Sequence, residues 1–119
     1  MVGRCCDLDL AIAIRTAFRR ETELLVRSVI DEDRSVLDLL NADYTYASED
    51  LARHYGLAGV TGKDAQRVAL PAGGNRGGVL GMAGILALTS HTSRTSPTLR
   101  GKYVLDVIFG TPPNPPPAN

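Results

Sequence analysis

Apolar residues in the first quarter of the chain recur at spacings of three, four and seven positions, which is the pattern of one face of an α-helix. The stripe runs through residues 7–30 and comprises Ala11, Ile14, Phe18, Leu25 and Val29, with Thr22 in the gap. The opposite face is charged, and the spacing of Arg19, Glu23 and Arg27 permits ion pairs one turn apart. The pattern predicts a long amphipathic helix with a solvated charged face.

Two short helices are predicted next along the chain. The first follows Asp33 or Ser35, and its apolar residues are Val36, Leu37, Leu39 and Leu40. The NADY stretch ends it, because Asn and Asp offer the backbone local turns in place of helix. The second begins after Ser48, a helix-capping residue type, and ends at Gly56, which suits the left-handed conformation that often follows a helix.

Two further helices are predicted in the second half, and both are expected to be buried. The segment VLGMAGILALTSH, residues 79–91, is apolar nearly all round, which is typical of a central helix. The last helix begins at Pro97, with Thr95 or Ser96 as its N-cap, and ends at Gly110. We expect it to bury Leu99, Tyr103, Val104, Val107 and Ile108.

The stretch between these helix pairs is rich in glycine. Residues 56–78 hold seven glycines and Pro71, which predicts a loop. Inside it QRVAL, residues 66–70, is a candidate short strand or extended segment. The cluster GGNRGG lacks the GKS or GKT ending of a phosphate-binding loop, so we interpret it as a flexible turn.

The predicted fold is therefore all-α, with about five helices, a glycine-rich loop and one possible extended segment. We expect a single helical domain over residues 1–110, or a fragment that spans the junction of two domains near residues 56–62. Residues 111–119, TPPNPPPAN, are predicted to leave the domain as an extended proline-rich tail.

Composition narrows the class of protein. The 119 residues are 44% apolar and 22% charged, as in an ordinary soluble domain, and the formal net charge is zero. This balance gives no electrostatic case for nucleic acid as a partner. Charge is unevenly distributed, since residues 1–64 hold 12 acidic and 8 basic side chains and residues 65–119 hold 1 and 5. Either the halves attract each other within one fold, or the basic half binds an external anion.

The cysteines and the lengths of the apolar runs argue against metal, haem and membrane-spanning classes of protein. The adjacent Cys5 and Cys6 form neither CxxC nor CxxCH, so we expect no zinc ribbon, no attached haem and no other cofactor in this chain. No apolar run reaches the ~18 residues that a membrane span needs, so we expect no membrane insertion. No signal peptide is seen, and the sequence alone leaves the location and the oligomeric state open.

Candidate chemistry is concentrated in LTSHTSRTSPTLRGKYV, residues 88–104, where hydroxyl and basic side chains follow an apolar run. One interpretation is that the hydroxyls cap helix ends. A sharper one is an anion-binding site at the start of the last helix. Its candidate residues are Arg94, Thr95, Ser96 and Arg100, joined by Arg76 from the glycine-rich loop.

A catalytic or ligand role for His91 is a further alternative. A triad needs an acid that orients the histidine, and neither Asp43 nor Asp106 can be assigned to that role from one sequence. The GxSxG nucleophile motif is absent. His54, in the last turn of its predicted helix, could join His91 at a metal or haem, but the spacing is not that of a metal site.

Long segments of the chain resemble a known pair of domains. Two segments carry the resemblance. They are RRETELLVRSVIDEDRSVLDLLNADYTYASEDLARHYGL and RGGVLGMAGILALTSHTSRTSPTLRGKYVLDVIFGTPPNPPP. They are similar to two adjoining uncharacterised domains of large exported proteins in planctomycete-type and acidobacterial genomes, which are commonly joined to c-type cytochrome domains. The family pattern has proline and tryptophan where this chain has Thr92 and Tyr103.

The resemblance implies a location and partners but no chemistry. It implies a place in the periplasm or cell envelope, with haem c only in associated domains. It also implies that the chain is a fragment or a stand-alone version, whose partners are the neighbouring domains or another protein. We expect a non-catalytic interaction or scaffold module, with anion or acidic-carbohydrate binding as the first alternative and an enzyme that uses His91 as the second.

Overall fold

The structure is a computed structural model that describes the backbone of residues 3–118 and the side chains of Asp9 and of residues 11–118. The side chains of Cys5 and Cys6 lie outside this description, and their role stays open. The chain divides into two compact units, residues 1–84 and residues 85–119.

About half of the chain is helical. The elements, in chain order, are α1 (Gly3–Asp31), α2 (Asp38–Asn41), β1 (Tyr44–Ala47), α3 (Glu49–Tyr55), β2 (Gln66–Ala69), α4 (Ala83–Leu88) and α5 (Pro97–Tyr103). A 3₁₀ turn at Val79–Gly81 precedes α4, and α5 continues into a wider π-helical turn at Val104–Ile108.

The prediction of an all-α fold is wrong, because β1 and β2 form a two-stranded antiparallel sheet. Tyr44 pairs with Ala69, and Ala47 pairs with Gln66. The extended segment expected at QRVAL contains β2, and its partner β1 begins at Tyr44, the last residue of the predicted NADY break. Two tyrosines and a threonine favour a strand in β1. Pairing with β2 provides hydrogen-bond partners for backbone N–H and C=O groups that a turn would leave unpaired.

Helix α1 confirms the predicted amphipathic pattern and carries the core of the first unit. Leu25 is fully buried and Val29 nearly so. Near the middle of the helix, Ala17 and Phe18 pack against a buried cluster of Ala47, Leu51 and Ala52 from β1 and α3. On the charged face Arg19 pairs with Glu23 at 2.7 Å, with both side chains solvated as expected.

The predicted central helix over residues 79–91 is wrong in length and in burial. The segment is a 3₁₀ turn, an extended residue at Met82 and the six-residue α4, whose Leu88 is 73% exposed. Glycine breaks the helix here, since it is the least favourable helix residue after proline. A Cβ on Gly84 would lie 3.3 Å from the Phe18 carbonyl oxygen, so the backbone of α1 approaches this glycine closely.

Several apolar residues of the predicted helices face solvent. In the first unit Val36 and Leu37 are 74% and 66% exposed, because only residues 38–41 of their predicted helix are helical. In the second unit Leu99 and Val107 are 39% and 60% exposed, against the expectation for the last helix. The helix starts and ends are confirmed at Ser48, Gly56, Ser96 and Gly110.

One ion pair joins the acidic and basic halves within the first unit. Arg67 on β2 contacts Glu32, just past the end of α1, at 3.1 Å. Both side chains are more than one-third exposed, so the pair contributes little stability. Over the residues that the structure describes, no helix combines the length and the apolar character that crossing a membrane requires.

Gly78 provides the sharpest test of the packing in the first unit. It has φ 63° and ψ −175°, a conformation reached almost only by glycine, and a Cβ there would lie 2.4 Å from the carbonyl carbon of Leu40. We expect Gly78→Ala to lower the free energy of unfolding by about 3 kcal/mol or more, because strain and overlap add.

Gly56→Ala is the matched control, to be compared by chemical denaturation. Gly56 also has positive φ, 71°, but a Cβ there would meet no atom within 4 Å. Its loss is expected to be about 1–2 kcal/mol, the cost of the left-handed conformation alone. Equal losses for the two variants would contradict the close approach at Gly78.

Candidate functional site

A carboxylate, Glu21, lies at the centre of the first unit with 1% of its surface exposed. It occupies the apolar face of α1, three residues after Phe18 and four before Leu25. Sequence reasoning assigned this gap in the stripe to Thr22 and missed Glu21. The available signal was its spacing, because a charged residue at helical distance from two apolar neighbours must share their side of the helix.

Two hydroxyl groups donate hydrogen bonds to the Glu21 carboxylate. Thr45 Oγ1, on β1, donates to Oε1, and Tyr55 Oη, in the last turn of α3, donates to Oε2 at 2.6 Å. The Tyr55 oxygen in turn accepts the backbone N–H of Ala83 at 2.8 Å. A chain of hydrogen bonds thus runs from the start of α4 through α3 to the middle of α1.

Arg76 covers this cluster from the glycine-rich loop. Its guanidinium lies 4.0 Å from the centroid of the Tyr55 ring, a cation–π distance, and Nη1 donates to the Gly81 carbonyl at 3.0 Å. A cavity of about 10 Å³ lies beside Glu21 and Arg76. It has room for about one water molecule.

Burial decides the protonation of the cluster. Loss of solvent raises the pKa of Glu21, against the opposing effects of the Thr45 and Tyr55 hydrogen bonds and of the Arg76 charge. Burial also raises the pKa of Tyr55, and the bond to Glu21 adds to this. The phenol therefore keeps its proton over the physiological range.

The residues of the predicted anion site make local contacts. Ser96 Oγ accepts the Leu99 N–H at 3.3 Å as the N-cap of α5, and Arg100 donates to Thr89 Oγ1 and Ser90 Oγ, both at 3.4 Å. Arg94 and Thr95 are exposed.

Arg76 belongs to the first unit, where its contacts are those with Tyr55 and Gly81. Helix capping explains the Ser96 hydroxyl, and anion binding stays a prediction.

The two histidines have different surroundings. The exposed His91 donates its backbone N–H to the Arg94 carbonyl at 3.0 Å, within a turn. His54 packs its ring against Phe18 and Tyr55, at 5.5 and 5.8 Å between centroids. Among the described residues no cluster of three or more His, Cys, Asp or Glu is arranged to hold a metal ion. A role for His91 as a base or ligand also stays a prediction.

We expect Glu21 to give the first unit a distinctive pH dependence. Its pKa is raised in the folded state above the ordinary 4.5, so the folded protein keeps a proton that the unfolded chain has lost. The stabilisation is therefore present below pH 4.5 and is lost as the pH rises from there to the folded pKa. Relative to Glu21→Gln, the wild-type free energy of unfolding should fall over this window in pH-dependent denaturation.

Glu23→Gln is the control for this pH series. Glu23 lies two residues further along the same helix, but its side chain is 49% exposed. That variant should retain the wild-type fall with pH. A Glu21→Gln protein whose stability follows the wild type in parallel across the window would contradict the raised pKa.

Comparison with protein-family models finds two matches. Residues 8–57 match PSD4, described as a protein of unknown function (DUF1592), and residues 76–119 match PSCyt3, described as a protein of unknown function (DUF1588). Neither the curated proteins nor the solved structures contain a match. Glu21, Thr45 and Tyr55 fall in the first matched segment, and Arg76 and Ala83 fall in the second.

Two adjoining domains of unknown function are what the resemblance implied. The chain therefore carries segments of two such families, PSD4 over residues 8–57 and PSCyt3 over residues 76–119, as its sequence predicted.

Proposed function

We propose that this chain is a non-catalytic interaction module of a cytochrome-associated protein in the bacterial cell envelope. The family names are consistent with a cytochrome association, since one of them contains the element Cyt. The proposed partner is a protein domain of the same assembly, and haem c belongs to that partner.

The most polar buried site supports a structural role. Both carboxylate oxygens of Glu21 accept a hydrogen bond from a hydroxyl group of the protein, and the neighbouring cavity has room for about one water molecule. A catalytic acid or base needs a proton path to a substrate-sized space. The cluster instead connects elements of the fold.

The observation that carries the proposal is a group of large apolar side chains in solvent. Ile30 on the last turn of α1 is 71% exposed, and Val36 and Leu37 follow at 74% and 66%. Paired charges bracket them in the sequence, because the Arg27–Asp31 pair spans Ile30 and the Arg34–Asp38 pair spans Val36 and Leu37. Apolar contact residues with a polar rim are typical of protein–protein interfaces.

The test is retention of haem on the immobilised chain. We expect the wild-type chain to retain c-type haem protein from a solubilised envelope fraction of a bacterium that carries the family, measured by haem absorbance. Val36→Ser combined with Leu37→Ser should abolish the retention. The same double variant should change the free energy of unfolding by less than about 0.5 kcal/mol, because both side chains are already in solvent.

Ile12→Ser is the control for apolar surface in general. Ile12 is 55% exposed but lies earlier on α1, away in sequence from the proposed contact residues. It should retain as much haem as the wild type. Haem retention that is absent in the wild type, or equal in the double variant, would contradict the proposal.

A further inference from the structure

The second family match begins inside the first compact unit. The PSCyt3 match starts at residue 76, whereas the first unit extends to Gly84. We call residues 76–84 the docking segment. Its side chains and backbone contact residues of the PSD4 match in that unit, so the boundary between the families is not a boundary of the structure.

Polar contacts fix the two ends of the docking segment. At its start, the Arg76 guanidinium lies over the Tyr55 ring at 4.0 Å. Near its end, the Ala83 N–H donates to the hydroxyl of the same tyrosine at 2.8 Å. Tyr55 is itself held by Glu21, so one buried hydrogen-bonded group receives both ends of the segment.

Close backbone packing fixes the middle of the segment. Gly78 lies where a Cβ would overlap the Leu40 carbonyl, and Gly84 lies against Phe18. Met82 is 4% exposed, and its sulfur accepts a hydrogen bond from Thr22 Oγ1 at 3.4 Å. The fit requires glycine at Gly78, leaves little room for a side chain at Gly84 and buries a long apolar side chain at Met82, so it selects a particular sequence.

We propose that the surface around Glu21 and Tyr55 is a binding site for the docking segment, through which a PSCyt3 domain fastens to a PSD4 domain. The site recognises a short peptide that starts with an arginine (Arg76). The peptide also needs a glycine that no side chain can replace (Gly78) and a methionine that becomes buried (Met82). It accounts for the adjoining order of the two families, because the second supplies a part of the core of the first. This site is separate from the apolar residues proposed to bind another protein.

The stretch before the docking segment allows a direct test. Residues 71–75 are exposed, and a protease site inserted between Gly74 and Asn75 can be cut in the folded full-length chain. The wild-type fragments should co-elute in size-exclusion chromatography at micromolar concentration, because non-covalent contacts hold them. Separate elution of the wild-type fragments would overturn the proposal, whether or not the first fragment remains folded.

Ala83→Pro removes one docking contact with little other change. Proline lacks the N–H that Tyr55 accepts, it is tolerated at the first position of a helix, and Met82 before it already has the extended ψ of 137° that proline requires. In the cleaved protein we expect the dissociation constant of the fragments to rise about tenfold. Ala83→Ser keeps the N–H and should bind within about threefold of the wild type. Equal constants for the proline and serine variants would overturn the assigned role of this hydrogen bond.

Discussion

The first unit depends on how it satisfies one buried carboxylate. Glu21 lies on the apolar side of α1, where an unpaired carboxylate would cost several kcal/mol. Thr45 from β1 and Tyr55 from α3 donate its hydrogen bonds. The Ala83 N–H in turn donates a hydrogen bond to the Tyr55 hydroxyl oxygen. Four elements must therefore be in place together before the group is satisfied, which couples their folding more tightly than the few large apolar side chains alone.

The limits of the sequence prediction follow from the same site. Local signals were sufficient to predict helix α1, because its long apolar periodicity is unambiguous. They were also sufficient to predict helix ends such as Ser96, because capping depends on neighbouring residues. They were insufficient for β1, because a four-residue strand is defined by its partner β2, whose paired residues lie 19 to 25 positions further along the chain. Residues 79–91 were apolar enough for a helix, but Gly84 in this segment packs against Phe18, and Gly78 just before it packs against Leu40.

Glu21 was missed for a related reason. The charged residues before it, on the solvated face of α1, made it look like one more member of that face. Its partners Thr45 and Tyr55 are ordinary strand and helix residues, and nothing local marks them as a site. The residues of the predicted anion site show the reverse case. Ser96 and Arg100 were conspicuous in the sequence, but in the structure they form local contacts.

The two proposals assign different surfaces to different tasks. The surface around Tyr55 joins the two family segments within the chain, and the exposed residues around Val36 are left for another protein. A structural use of the buried polar cluster is consistent with both, because its hydrogen bonds link α1, β1 and α3 with Ala83.

Hydrogen exchange of the Ala83 amide tests the central claim most directly. This N–H lies at the start of a short helix, where amides have no partner within the helix and exchange quickly unless something else holds them. If it donates to Tyr55 as part of the core, it should exchange only when the first unit unfolds, at the rate of the Leu25 amide in α1. Exchange as fast as that of the exposed residues 72–75 would contradict the account.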